Sequence, residues 1–152
     1  MTIAPGDSLP DIALTCPDGS AVRPADFTGQ KLVLFFYPKD DTPGCTMEAC
    51  AFRDSYADLQ AMGAEVWGVS GDDAASHQRF AQRHNLPYPL LVDKGNQLRK
   101  AFGVPSVLGL LPGRVTYVID ASGVIRHVFN NLLDGPAHRR EAIEALKALQ
   151  QP

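Results

Sequence analysis

An α/β fold with a mixed central sheet is the class this sequence predicts, and three observations predict it. Short apolar runs of strand length, Leu32 to Tyr37, Val66 to Ser70 and Pro89 to Val92, alternate with longer segments of helical periodicity. Strand, helix and strand at these lengths make parallel crossover units. Two later apolar runs are joined by a tight turn, which adds antiparallel pairing to the same sheet.

In chain order, Ile12 to Cys16 and Ala21 to Arg23 flank the turn sequence Pro17-Asp-Gly-Ser20, and read as an N-terminal β-hairpin on a sheet edge. Leu32 to Tyr37 is unbroken in its apolarity and bounded by Gly29 and Pro38, so it reads as a strand buried on both faces, the central one. Ala49, Phe52, Tyr56, Leu59 and Met62 recur at spacings of three and four, giving one helix with a core-facing stripe that ends at Gly63. Val66 to Ser70 is the next strand, Ala74 to Asn85 a helix, Pro89 to Val92 a strand and Asn96 to Phe102 a short helix. The two prolines and the glycines of Val104 to Gly113 predict a loop, whose apolar residues must cover something. Arg114 to Ile119 and Val124 to Phe129 form a hairpin across Asp120-Ala-Ser-Gly123. Asp134-Gly-Pro136 opens a last amphipathic helix with Ile143, Leu146 and Leu149 on one face. No repeat or linker interrupts the chain, so residues 1–152 are expected to form a single domain.

At 152 residues a single core is adequate: such a domain buries about two thirds of the surface its unfolded chain exposes. Lys+Arg number 14 and Asp+Glu 17, a net charge of -3 that offers nucleic acid and acidic membranes no general attraction. A small substrate or a protein partner is expected instead. The first residues lack the basic and apolar segments of a leader, and no run of about eighteen apolar residues occurs, so a cytoplasmic location is expected. Three cysteines, an odd count, argue against an extracellular disulfide framework and for thiols that are buried or used.

Cys45 lies just past the carboxyl end of the most hydrophobic strand, where open α/β sheets bind ligands. It also opens a helix, where unpaired N–H groups and the positive dipole end favour a thiolate. Cys50 follows five residues later; on an ideal helix that is a rise of about 7.5 Å, a turn of about 140° and a Cα separation of roughly 8.6 Å. A disulfide tolerates about 7 Å, so bonding the two requires the first turns to unwind. Read without that bond, Cys50 is equally an ordinary small core residue. Zinc is disfavoured, because His77, His84, His127 and His138 are scattered over separate elements, and all four read as surface or structural. Lys39, Asp40 and Asp41 read as a solvated turn, Asp72 and Asp73 as helix caps, Trp67 as core and Cys16 as a structural or incidental thiol.

Pro38-x-x-x-Thr42-x-x-Cys45 resembles the active-site pattern of the peroxiredoxins, and the longer string from Tyr37 to Cys50 looks like their PrxQ, or bacterioferritin comigratory protein, branch. The resemblance implies a thioredoxin-like three-layer fold and a cofactor-free thiol peroxidase for hydrogen peroxide and organic hydroperoxides, an antioxidant serving cell redox homeostasis. It implies that Cys45 is the peroxidatic cysteine, oxidised to a sulfenic acid, and that Cys50 is the resolving cysteine, forming an intramolecular disulfide that a thioredoxin-like or glutaredoxin-like reductant opens. Thr42 and Pro38 match the residues that hold the peroxide and shield the sulfur, Arg114 matches the family's supporting arginine, and the N–H groups of Gly44 and Cys45 are candidate peroxide contacts. Glu48 also matches the PrxQ pattern, although a carboxylate in a first helical turn is favoured by the dipole alone. A monomer is expected. The alternatives are a thioredoxin-like disulfide oxidoreductase, whose usual Cys-x-x-Cys is absent, and a non-catalytic redox sensor that uses the same helix as a switch.

Overall fold

The computed structural model describes residues 3–10, 12–16, 18–23, 29–107 and 111–150. Its elements follow the predicted order: β1 (Leu14–Thr15), β2 (Ala21–Val22), β3 (Lys31–Phe36), α1 (Pro43–Asp54), α2 (Tyr56–Ala61), β4 (Ala64–Ser70), α3 (Ala74–His84) and β5 (Leu90–Val92). A 3-10 turn at Lys94–Asn96 leads into α4 (Gln97–Phe102), then β6 (Ser106–Val107), β7 (Leu111–Pro112), β8 (Val115–Ile119), β9 (Ile125–Asn130) and α5 (Gly135–Gln150).

Seven strands form one sheet in the order β2-β1-β5-β4-β3-β8-β9. β3, β4 and β5 run parallel, while β8 lies antiparallel to β3 and β9 antiparallel to β8, so the sheet is mixed. The β1–β2 hairpin is attached at the β5 edge. The middle position belongs to β4 and not, as its unbroken apolar run suggested, to β3 beside it, because β8 and β9 extend the sheet on one side and β5 with the N-terminal hairpin on the other.

The alternation of β3 divides the core. Val33, Phe35 and Tyr37 meet Ala49, Phe52, Leu59, Phe80, Ala142 and Leu146 from α1, α2, α3 and α5. Leu32, Leu34 and Phe36 meet Leu98 and Phe102 of α4 together with Trp67, Tyr117 and Ile119 on the opposite face. Helices therefore cover both faces of the sheet, the three-layer arrangement of a thioredoxin-like fold. Phe35 stacks on Phe52 with centroids 4.7 Å apart, seating α1 over the sheet. Its cross-strand neighbour is Gly68, where a Cβ would fall 2.9 Å from the Phe35 ring and 2.7 Å from Leu90. The absent side chain makes room for the ring that anchors α1.

Two further expectations are corrected. The helix predicted to end at Gly63 is two helices, broken at Ser55 (φ -106, ψ 5). There the chain tightens, Ser55 N–H bonding the Phe52 carbonyl three residues back, and the Ser55 hydroxyl accepts from Arg139 of α5 at 3.0 Å. The apolar stripe runs through the break, so periodicity alone could not show it. The predicted loop from Val104 to Gly113 contains the β6–β7 pair, an antiparallel hairpin of two residues per strand; its tip lies outside the described residues, as do Pro17 and the side chains of 107–112.

Candidate active site

After β3 the chain turns through Tyr37-Pro38-Lys39-Asp40-Asp41, with Asp41 in the left-handed region (φ 59), and enters α1 through an extended Thr42 and Pro43 at the first helical position. Proline fits there because its missing N–H would have no helical acceptor. The Thr42 hydroxyl caps nothing; it donates to the Lys39 carbonyl at 2.8 Å and keeps its lone pairs available. Cys45 is the third residue of α1 and only 1% exposed, packed within the core cluster on the α1 face of the sheet. Pro38 is half-buried at the turn.

Arg114 meets Cys45 from the strand side. It stands one residue before β8 and is buried, its Nη2 donating to Cys45 Sγ at 3.4 Å, its Nη1 to Glu48 Oε1 at 2.6 Å and its Nε to the Leu132 carbonyl at 2.9 Å. Gly44 is half-buried, and a Cβ there would stand 3.0 Å from Arg114 Nη2, so its bareness lets the guanidinium reach the sulfur. Burial weakens Arg114's hold on its proton, but Glu48 and Cys45 more than offset this and keep it firmly cationic.

Glu48 departs from its sequence reading. It is the sixth residue of α1, beyond the first turn, fully buried and bound to Arg114, so the helix dipole does not explain it. Burial pushes its carboxyl up to about 8 while Arg114 pulls the other way. Its second oxygen, Oε2, has no hydrogen-bond partner among the described residues, and His138 Nδ1 stands 3.5 Å from it.

Sequence reasoning saw in His138 only a structural histidine. Its Nε2 faces the Asn131 carbonyl at 2.7 Å, which requires the proton on Nε2, and its Nδ1 then accepts from the Thr116 hydroxyl at 2.7 Å. It therefore stands behind two of the three partners of Arg114: Glu48, and the segment whose next residue, Leu132, takes the Nε bond. Gly135 brings this helix in close, since a Cβ there would lie 2.7 Å from the Gly44 carbonyl and 2.9 Å from Glu48 Cβ. The only sequence signal was the spacing of Gly135 and His138 on α5.

Burial, helped by Arg114, pushes His138 down to about 4 against the opposing pull of Asn131, Asp134 and Glu141. The unfolded chain therefore takes up this proton first, so the stability that His138 contributes is complete above about pH 6.5 and is lost as the pH falls toward 4. The stability difference between wild type and His138→Phe, measured by urea unfolding, should shrink by about 2 kcal/mol between about pH 7.5 and pH 5. An unchanged difference would remove the depressed ionisation from the account.

The turn before Thr42 is not solvated throughout. Asp40 is buried and accepts from the Tyr37 hydroxyl (2.5 Å) and the Ser76 hydroxyl (2.8 Å), with His77 Nδ1 at 2.7 Å. His77 Nε2 meets the Leu91 carbonyl at 2.9 Å. Burial opposes the charge on Asp40, but these partners hold its carboxyl below the usual range. Asp72 likewise is no helix cap: it accepts from Asp40 N–H and the Ser70 hydroxyl, and Asp73 alone caps α3. Ligand-type atoms of Asp40, Asp72 and His77 lie within 4.8 Å of one another, and these hydrogen bonds account for the grouping. Lys39 and Asp41 remain exposed as expected, Asp41 accepting from Arg83.

All three cysteines are free thiols. Cys50 is half-buried on α1, which runs unbroken from Pro43 to Asp54, so the helix separates it from Cys45 as the sequence geometry required. Cys16 packs against the core on the opposite face of the sheet.

Comparison with known proteins agrees with this arrangement. Residues 5–128 match the model of the AhpC/TSA family. The chain is 48% identical over 148 residues to a putative chloroplastic peroxiredoxin Q of Oryza sativa subsp. indica, covering 97% of this chain and 68% of the relative. Its identity to the chloroplastic peroxiredoxin Q of Arabidopsis thaliana is 50% over 144 residues, with 94% and 67% covered. The peroxidoxin BcpB of Mycobacterium tuberculosis superposes with a TM-score of 0.89 at 33% identity, covering 98% of this chain and 99% of that one. A Xanthomonas campestris bacterioferritin comigratory protein, studied for its alkyl peroxide reduction activity, does so with a TM-score of 0.86 at 26% identity, covering 95% and 100%. With a matched family model, relatives near half identity and a cysteine set between a helix start and a buried arginine, the chain belongs to the peroxiredoxins of the AhpC/TSA family, in their PrxQ branch.

Proposed function

We propose that this thiol-dependent peroxidase works through Cys45 as the nucleophile and Cys50 as the resolving thiol, on hydrogen peroxide and organic hydroperoxides. The observation that carries the reading is the Arg114 contact on a buried Cys45 Sγ at the first turn of α1. Arg114 and the N–H groups of that turn favour the thiolate and stabilise the negative charge that develops on the departing oxygen. Thr42, its proton committed to Lys39, offers lone pairs to the peroxide O–H, and Pro38 shields the sulfur.

The thiolate attacks one peroxide oxygen; the S–O bond forms as the O–O bond breaks, and the leaving oxygen takes a proton and departs as water or an alcohol. Cys45 is then a sulfenic acid, and the Cys50 thiolate attacks its sulfur, expelling hydroxide that leaves as water and forming the disulfide. Cys50 is favoured over Cys16 as the resolving thiol because Cys16 lies across the sheet, and for Cys50 to reach Cys45 α1 must unwind. A dithiol reductant of the thioredoxin or glutaredoxin type restores both thiols and is itself oxidised. The alkyl peroxide activity of the Xanthomonas relative supports organic hydroperoxides as substrates. We further propose one domain, a monomer and a cytoplasmic location, since intramolecular resolution needs no second subunit; a solution mass of two chains would refute the monomer.

The test is to mix reduced protein with substoichiometric hydroperoxide, following Trp67 fluorescence and thiol loss. Two thiols should disappear per peroxide and peptide mapping should find Cys45 joined to Cys50. Cys50→Ser should oxidise at the wild-type rate, within about twofold, yet stop at a trappable sulfenic acid. A Cys16–Cys45 bond in the wild type would overturn the resolving assignment.

A further inference from the structure

We propose that Arg99, on α4, is a positioning residue for peroxide reduction: a second buried guanidinium that aligns the backbone on both sides of the site and presents positive charge to Cys45. The proposal rests on Cys45 being the nucleophile.

Arg99 is 6% exposed, and its fork bridges two carbonyls, Nη2 donating to Tyr37 O at 2.9 Å and Nη1 to Gly113 O at 2.7 Å. Each carbonyl belongs to the residue just before a site residue, Pro38 in one case and Arg114 in the other. A planar guanidinium with fixed N–H directions thus sets the spacing of the strand ends that carry the shield and the cation, which no flexible ammonium can do. The Gly113 side of the bridge is firmly seated, since a Cβ there would fall 2.1 Å from the Pro105 carbonyl.

Arg99 is itself held from three directions. The Asp93 carboxylate accepts the N–H groups of Leu98 and Arg99 at 2.8 and 3.0 Å, fixing the start of α4. The guanidinium carbon lies 5.6 Å from the centroid of Phe36, within cation–π range. The two carbonyls complete the set. Arg114 shares its charge with a hydrogen-bonded carboxylate, whereas the hydrogen bonds of the Arg99 guanidinium among the described residues go to carbonyls only. Burial loosens the guanidinium's hold on its proton more than the pull of Asp93, Tyr117 and Cys45 tightens it; the attraction between Arg99 and a charged Cys45 sulfur acts in both directions.

The test uses Arg99→Met and Arg99→Lys in a background with Cys16 and Cys50 replaced by serine, so that Cys45 is the one thiol present. Two quantities are read: the pH dependence of alkylation by iodoacetamide and the second-order rate constant with hydrogen peroxide. Arg99→Met should move the alkylation midpoint to higher pH and lower the peroxide rate constant by about 10-fold or more. Arg99→Lys should hold the midpoint, retaining the charge, yet still lose several-fold in rate because one ammonium cannot span both carbonyls. A folded methionine variant with the wild-type midpoint and rate overturns the proposal; should that variant fail to fold, a lysine variant with the wild-type rate refutes the alignment role. If the Arg99-intact parent reacts no faster than a free thiol, it is the assignment of Cys45 that fails instead.

Discussion

Cys45→Ser should give a folded protein that reduces hydroperoxide at least about 10⁴-fold more slowly than wild type, the loss expected when the one attacking atom of a reaction is removed. The exchange of sulfur for oxygen is nearly isosteric, and Cys45 is wholly packed in the core around Ala49 and Phe52, so neither a cavity nor a clash follows. A serine oxygen can still accept from Arg114 Nη2, which keeps the guanidinium seated. What disappears is the ionised, polarisable sulfur: a hydroxyl at neutral pH is un-ionised, and the site holds no base within the Thr42–Cys45 turn to activate it. Cys16 and Cys50 remain as ordinary thiols and set the residual rate. Thermal melting should change by a few degrees at most, and stopped-flow mixing with hydrogen peroxide reads the rate. A folded serine variant within about tenfold of wild type would remove Cys45 from the mechanism.

The parts of this site legible in the sequence are those fixed by neighbours along the chain. A six-residue apolar run, Pro43 at a helix start and a cysteine two residues on describe β3, α1 and the address of Cys45 through local rules alone. What escaped depends on contacts between distant segments. Glu48 looked like a dipole-favoured carboxylate because nothing beside it shows that Arg114, 66 residues away, comes to meet it. Asp40 looked solvated until α3 brought Ser76 and His77 against it. Arg99 was one more cation on a short helix, and only the sheet order, with β3 beside β8, brings Tyr37 and Gly113 close enough for one guanidinium to bridge. The β6–β7 hairpin escaped for another reason: two residues per strand are too few to display a period of two.

Arg114→Met should lower the rate of Cys45 oxidation by about 10² to 10³-fold, the range seen when a preorganised donor to developing charge is deleted. Stability should fall as well, because the same change strands Glu48, a carboxyl group with no exposure whose Oε2 has no hydrogen-bond partner among the described residues. Removing one member of a buried pair costs about 3 to 5 kcal/mol if the other stays charged. Glu48 has an escape: burial already raises its carboxyl to about 8, and without Arg114 it rises further, so the folded variant can keep it protonated. An unfolded glutamate releases that proton near its ordinary value, so this stability is present at low pH and drains away as the pH rises toward the folded-state value. Urea unfolding should therefore show Arg114→Met losing stability relative to wild type as the pH is raised above about 8, where the wild-type carboxyl ionises against Arg114 and the variant's still holds its proton. Adding Glu48→Gln removes the ionisable group and should recover most of the stability while leaving the peroxide rate low. That dissociation is the decisive outcome. If Arg114→Met/Glu48→Gln regained the wild-type rate, Arg114 would serve only to neutralise Glu48, and its contact with the sulfur would have no part in the chemistry.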